Sequence, residues 1–325
     1  MQYSKIGFIR QFFLLSLSLL FMLTACAPEK ATPTATPEAD RNRYIADLEF
    51  IAQGPRTSID PNHKAVQDLC AERLTRLGYE VERYDFGGGV DVIGTRRGTT
   101  RPDEIVIVSA HYDTIPNSNG ADDNASGVAA VLETARLLAN EKHSRTLLVA
   151  CWDQEEPALY GSYVYANREQ KKNTDIKVAY VYDEIGTSDD SPNSQRFPSG
   201  FDIVYPAEAQ KLRTNQYRAN FVLLVFDQQA RTSALAITDQ AEKEGLPSIQ
   251  LEVNRDGKIP TDLNGSDHAS FWREGYPAIE INDTAGYRNP YKHTQLDTID
   301  TLNHDFAIKI ISAVVASVRN VLESQ

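Results

Sequence analysis

Three strand-like apolar runs in this chain end in residues that can move protons or hold a cation. Ile105-Val106-Ile107-Val108 leads to His111-Tyr112-Asp113, Thr146 to Trp152 leads to Asp153-Gln154-Glu155-Glu156, and Ile176 to Tyr182 leads to Asp183-Glu184. Between the first two runs lies Asn119-Gly120-Ala121-Asp122-Asp123-Asn124-Ala125-Ser126-Gly127, and much later comes Tyr291-Lys292-His293-Thr294-Gln295-Leu296-Asp297-Thr298. Gathered in one place, these carboxylates would pay heavily in like-charge repulsion and desolvation unless cations sat among them. Imidazole with carboxylate and no thiolate suits zinc in a catalytic site, and manganese or cobalt less well. Two ions sharing one carboxylate could polarise a carbonyl and activate a water between them. The Glu155-Glu156 pair then divides into one ligand and one general base, and either Asp122 or Asp123 could be the shared ligand.

The elements that must position these groups follow from the pattern. An apolar helical stripe through Val128, Val131, Leu132, Ala135 and Leu138 separates the first strand from the second, and a helical stretch from Leu159 to Arg168 separates the second from the third. Strand and helix in alternation predict parallel β-α-β units with helices on both faces of a sheet. The carboxyl ends of parallel strands share one edge, where ligand sites of open α/β sheets collect. Upstream, Tyr44 to Gly78 reads as two helices closed by Gly78. Downstream, Phe221 to Phe226 and Ile249 to Val253 read as strands flanking a helix from Ala234 to Gly245, and Phe306 to Leu322 as a last amphipathic helix.

The first 25 residues are a separate object. Lys5 and Arg10 precede an apolar run from Phe12 to Leu23, too short for a comfortable bilayer span, and Leu23-Thr24-Ala25-Cys26 resembles the lipobox of bacterial lipoproteins. Residues 1–25 are expected to be an export signal and Cys26 the lipidated first residue, anchored to a membrane surface by lipid only. Residues 26–43, with Pro28, Pro33 and Pro37, read as a flexible tether, and 44–325 as one domain. Cys70 and Cys151 are too few for a disulfide framework, and Cys151 reads as a small buried hydrophobe. The net charge is −12 and becomes −14 once Lys5 and Arg10 are removed, a sign that disfavours nucleic acid as a partner.

The ordered set His111-x-Asp113, Gly120 to Gly127, Glu155-Glu156 with Tyr160-Gly161-Ser162, Asp183, and His293-Thr-x-x-Asp297-Thr298 resembles metallopeptidase family 28, the aminopeptidase Y type, over roughly residues 105–300. The resemblance implies a single-domain, three-layer α/β/α fold with a mixed, mostly parallel central sheet. It implies that Asp123 bridges two zinc ions, with His111 and Asp183 completing one site and Glu156 and His293 the other. Glu155 would be the general base, and Asp113 the outer acid that orients the histidine ring. One departure stands out: Lys292 directly precedes His293, where many members carry tyrosine or another neutral residue. Tyr291 is the candidate donor to the tetrahedral intermediate, with Tyr287 as competitor. The segment Gly265 to Phe271 resembles one that lines the family's cleft, which puts Asp267 and His268 near substrate with no metal role. His63, His143 and His304 lie in polar sequence and are expected at the surface.

The resulting expectation is a zinc-dependent exopeptidase acting on peptides, foremost an aminopeptidase. A glutaminyl cyclase or other amidohydrolase of the same fold is one alternative, and a lipoprotein that binds zinc or peptide without catalysis is another; the spare acid Glu155 argues against the last. No Gly-x-Ser-x-Gly elbow and no His-Glu-x-x-His stretch occurs, which excludes the serine hydrolases and single-zinc helical peptidases those motifs mark. Substrate preference would be set by loops in the 188–261 region.

Overall fold

The computed structural model describes residues 38–256 and 259–324. Cys26 and the export signal lie outside them. The chain opens with α1 (Arg41–Ile51), whose first turn is capped by the Asp40 carboxylate accepting the Asn42 and Arg43 N–H groups. Asp40 N–H in turn donates to Glu133 at 2.6 Å. The folded body thus begins inside the stretch read as tether, because a capping aspartate with a long-range partner starts the helix before its first apolar residue. Then come α2 (Pro61–Arg76), with proline in its first turn, and Gly78 at φ +80°, the left-handed position that closes the helix.

An edge hairpin of β1 (Glu80–Asp85) and β2 (Val90–Arg96) leads into β3 (Arg101–His111), α3 (Gly127–Leu138), β4 (Arg145–Trp152), the single turn α4 (Glu155–Ala158), α5 (Tyr160–Lys171) and β5 (Asp175–Tyr182). The second half holds α6 (Phe201–Val204), α7 (Pro206–Thr214), β6 (Val222–Asp227), α8 (Arg231–Lys243), β7 (Ser248–Val253), α9 (His268–Arg273), β8 (Ala278–Asn282) and α10 (His304–Glu323). The eight strands form one sheet in the order β1-β2-β4-β3-β5-β8-β6-β7. Its centre, β4-β3-β5-β8, is parallel, as is β6 with β7, while β1, β2 and the β8–β6 pair run antiparallel. The sheet is mixed, with a parallel centre.

Alternation along β4 shows how the layers form. Leu147, Val149 and Cys151 join the core under α1, α2, α3, α8 and α10, and Leu148, Ala150 and Trp152 join the core under α5, α7 and α9. Cys70 and Cys151 are buried and unbridged. Register also aligns three residues that matter below: Val181 of β5, Glu280 of β8 and Val225 of β6 lie side by side, with Leu251 of β7 opposite Val225.

Two histidines expected at the surface are buried. His63 Nε2 lies 2.8 Å from Asp153 Oδ1, and His143 Nδ1 lies 3.1 Å from Glu323. Polar neighbours in sequence suggested exposure, but the covering groups arrive from 90 and 180 residues away. His304 is half-buried.

Candidate metal centre

The strand ends deliver their acids to one place. His111 is the last residue of β3 and Asp183 follows β5, while Glu155 and Glu156 form the first turn of α4, directly after β4. Asp113 ties these ends together. Its Oδ1 accepts the Glu155 N–H at 3.0 Å and lies 3.4 Å from His111 Nδ1, and its Oδ2 accepts the Glu156 N–H at 3.2 Å. One carboxylate therefore holds the backbone of the two glutamates by two hydrogen bonds and lies against the imidazole.

The turn bearing Asp123 is held from three sides. Asp297 accepts the Asp122 N–H at 2.9 Å and the Asp123 N–H at 3.2 Å. Asn124 donates to the Tyr182 carbonyl at 2.9 Å and accepts the Gly127 N–H at 3.0 Å. A Cβ at Gly127 would sit 2.2 Å from Asn124 Oδ1, and one at Gly120, at φ +55°, 2.1 Å from the Asp123 carbonyl, so both positions require glycine. Arg56 completes the support. Fully buried, it donates to the carbonyls of Ile51, Tyr112, Asn119 and Gly120 at 2.6–3.2 Å.

This geometry decides between the adjacent aspartates. Asp122 is spent on structure, accepting from Gly186 N–H at 2.7 Å and Asn289 Nδ2 at 2.9 Å. Asp123 instead turns its two oxygens to two different groups. Oδ1 lies 3.4 Å from His111 Nε2, which is 3.5 Å from Asp183 Oδ1 and 3.8 Å from Glu155 Oε2. Oδ2 lies 2.9 Å from His293 Nε2, which is 3.2 Å from Glu156 Oε2. Ligand atoms of His111, Glu155 and Asp183 fall within 4.8 Å of one another, as do those of Asp123, Glu156 and His293.

The residues fit a metal. Both ring nitrogens of His111 and Asp183 Oδ1 are buried without a well-aligned hydrogen-bond partner, a costly arrangement that a coordinated cation satisfies. Burial would lower the His111 pKa, but the charge of Glu155 and the carboxylates of Asp113, Asp123 and Asp183 outweigh it and hold the ring protonated well above its ordinary range. Hydrogen bonding to Asp123 and then Glu156 lifts His293 to about 9. The proton on each ring holds the place a divalent cation would compete for. Burial pushes the Glu155 carboxyl well above the usual range, with Asp183, Asp267 and Asp113 adding to it and His111 opposing.

Lys292 brings a cation into this cluster. Its Nζ donates to Asp123 Oδ2 at 2.8 Å and to Glu184, and those charges outweigh burial in keeping it protonated. Tyr291, the expected donor, is 37% exposed, and its hydroxyl has no hydrogen bond among the described residues. The Tyr287 hydroxyl donates to Asp262 at 2.7 Å. Lys292, and not Tyr291, reaches the carboxylate cluster in this structure.

Next to Asp183 and Lys292 opens a cavity of about 450 Å³, walled by apolar residues of β6, β7 and the 197–201 segment, with Glu280 and Tyr287 at its sides. Asp267 and His268 do not line it. Both are fully buried behind its wall, with His268 Nε2 at 3.3 Å from the Leu263 carbonyl and 3.5 Å from Glu280 Oε2. Burial lowers His268 to about 4 and raises Asp267 to about 7. Glu280, raised by burial and then by the Asp183 charge to about 8, is the residue of this group that reaches the cavity.

Sequence reasoning missed Arg56, Lys292 as an inward cation, Asp297 as a clamp, and Glu280. Asp297 lay within a recognised motif and could have been assigned. Arg56 carries no sequence signal, since all its side-chain partners are backbone carbonyls.

Residues 91–318 match the family model of peptidase family M28. The chain is 32% identical over 232 residues to the uncharacterized protein YfbL of Escherichia coli, covering 66% of this chain and 67% of that one. It is 30% identical to a probable zinc metalloprotease of Pyricularia oryzae, over 91% of this chain and 67% of that one. Among solved structures it resembles the zinc aminopeptidase BSAP of Bacillus subtilis with a TM-score of 0.67 at 16% identity, over 90% of this chain and 97% of that one. Across the curated relatives named above and others, the chain spans 45–67% of their lengths. A match over most of the sheet, with the ligand-type residues gathered at its carboxyl edge, identifies the chain as a zinc-dependent member of peptidase family M28.

Proposed function

We propose that this chain is an aminopeptidase that removes N-terminal residues from peptides and works with two zinc ions. The observation that carries the reading is Asp123, whose two oxygens face two separate imidazole-carboxylate groups. His111 and Asp183 on one side and Glu156 and His293 on the other would hold the metal, with Asp123 shared. Zinc bound there supplies Lewis acidity and makes water a better nucleophile near neutral pH.

The remaining steps belong to the side chains. Glu155, buried beside His111 and anchored through its N–H to Asp113, takes a proton from the attacking water and delivers it to the leaving amine. Asp113 keeps this acid in register with the histidine ring. Lys292 offers a fixed positive charge next to the shared aspartate, where the tetrahedral intermediate gains negative charge.

The same proposal includes export and attachment at Cys26, supported by the order of charge, apolar run and small residues before it. Lipid labelling of the full chain and of Cys26→Ala would test that part, and equal labelling of both would overturn it. The functional test is zinc content of the purified protein together with release of chromophore from a panel of aminoacyl amides, before and after chelation. Two zinc ions per chain and chelator-sensitive release support the reading. Activity only on N-blocked peptides, or cyclisation of N-terminal glutamine, overturns it.

A further inference from the structure

The cavity beside the metal-type residues has one feature its apolar lining does not explain. Leu223, Val225 and Leu251 line its sheet side, and Phe197 and Phe201 its outer side. Of the four carboxylates that line it, Asp183 faces His111, Glu184 pairs with Lys292 and Asp262 accepts from the Tyr287 hydroxyl, which leaves Glu280, only 8% exposed. Its Oε1 accepts from Asn282 Nδ2 at 3.2 Å, while Oε2 makes no hydrogen bond among the described residues. The nearest basic nitrogen, His268 Nε2 at 3.5 Å, is engaged with the Leu263 carbonyl. Lys292, the only described lysine or arginine lining the cavity, is committed to Asp123 and Glu184.

A carboxyl group in apolar surroundings with no cation of its own favours its neutral form, and a ligand cation placed beside it draws it into an ion pair. Sheet register fixes where that charge must lie. Glu280 is level with Val181, two residues back from Asp183 along the parallel β5, or roughly 7 Å at the rise of an extended strand. A substrate side chain entering from the metal-type cluster would therefore reach Glu280 on β8, with the apolar residues of β6 and β7 on its far side.

The geometry points to a specificity pocket for an N-terminal lysine or arginine, with the terminal cation on Glu280 and the aliphatic stem against the apolar wall around it. A purely apolar side chain of equal length fits the wall but gives Glu280 no ion pair, so the charged side chain is favoured over it. The inference rests on the aminopeptidase reading for which residue of the substrate enters, and on the cavity alone for the chemistry it prefers.

The test compares lysyl, arginyl and norleucyl chromogenic amides on the zinc-loaded full-length chain and on Glu280→Gln and Glu280→Leu. Norleucine matches the lysine stem without its charge. The ratio of kcat/KM for lysine over norleucine is internal to each preparation, so a poorly folded fraction cancels. A charged hydrogen bond in a buried site makes that ratio about 10 to 100 in the wild type and brings it to about 1 or below in both variants. A wild-type ratio at or below unity, or one unchanged by the substitutions, overturns the inference. Calorimetric binding of lysinamide and norleucinamide separates the two levels of the argument. A lysinamide preference lost in Glu280→Gln without turnover of any free-amine substrate sinks the aminopeptidase reading and upholds the pocket. Turnover of both amides with equal binding sinks the pocket and upholds the aminopeptidase.

Discussion

Replacing Arg56 with methionine removes a residue that touches no substrate, yet it should damage both stability and the metal site. The guanidinium is fully buried and its side-chain partners are four carbonyls: Ile51 at the end of α1, Tyr112 just past His111, and Asn119 and Gly120 at the entry to the Asp123 turn. Losing four hydrogen bonds to a charged donor, at about 1.5–3 kcal/mol each, forfeits roughly 6–12 kcal/mol gross. Against that stands relief from burying the charge. Burial lowers the Arg56 guanidinium to about 10, and only the more distant Asp123, Asp113, Asp297 and Glu156 offset it. That relief is worth roughly 3 kcal/mol. With water and local relaxation meeting part of the carbonyls' need, a net loss of about 3–5 kcal/mol remains. Denaturant unfolding reads it as a lower midpoint at unchanged slope. Zinc binding, measured by calorimetry on the same protein, should weaken because the strand end and the Asp123 turn lose their common strut. Arg56→Lys restores the charge without the fork and should fall between the two. Wild-type midpoint and zinc affinity in Arg56→Met would refute the reasoning.

Three further outcomes follow from the same geometry. Glu155→Gln should retain bound zinc while kcat drops by about 10²–10⁴, the range for a lost general acid-base group, and wild-type turnover would remove Glu155 from that role. Asp123→Ala should lose zinc and activity together, since both histidine groups depend on it; full zinc occupancy in that variant would contradict a shared ligand. His268 should make the protein acid-sensitive: burial holds the ring at about 4 in the folded state against an ordinary 6.5, so the unfolded chain takes up the proton first as pH falls. Its contribution to stability is intact above pH 6.5 and declines by up to about 3 kcal/mol on the way to pH 4. His268→Gln should flatten the pH profile of the unfolding midpoint across that window, and parallel profiles would show that this ring does not couple to folding.

The strands and helices that carry the acids were legible because the chain repeats one unit: a β-branched run, a polar turn, and an apolar helical stripe. β3, β4, β5 and α3 all lie where that pattern placed them. What escaped was structure without such a signature. β1 and β2 form an edge hairpin whose outer strand is largely exposed, and β8 is five residues long with Glu280 at its centre, so neither gives a clean apolar run. The site residues divide the same way. Ligand-type side chains at strand ends announce themselves by chemistry, whereas groups that hold them in place do so through the backbone: Asp297 by two N–H groups, Asp113 by two more, Arg56 by carbonyls. Backbone partners leave no mark on the identity of any other residue.

The charge balance explains why such supports are needed. Asp113, Asp123, Glu155, Glu156, Asp183 and Glu184 converge where Lys292 and the buried guanidinium of Arg56 are the permanent cations near them. Lys292 pairs with Asp123 and Glu184, leaving the His111–Asp183 group without a cation of its own, and Arg56 acts only at a distance. Protonation of His111 and His293 fills the deficit by one charge each, whereas two divalent ions would double it and release both rings as ligands. The fold therefore carries an acid excess matched to metal, and its fixed cations hold the frame that this excess would otherwise push apart.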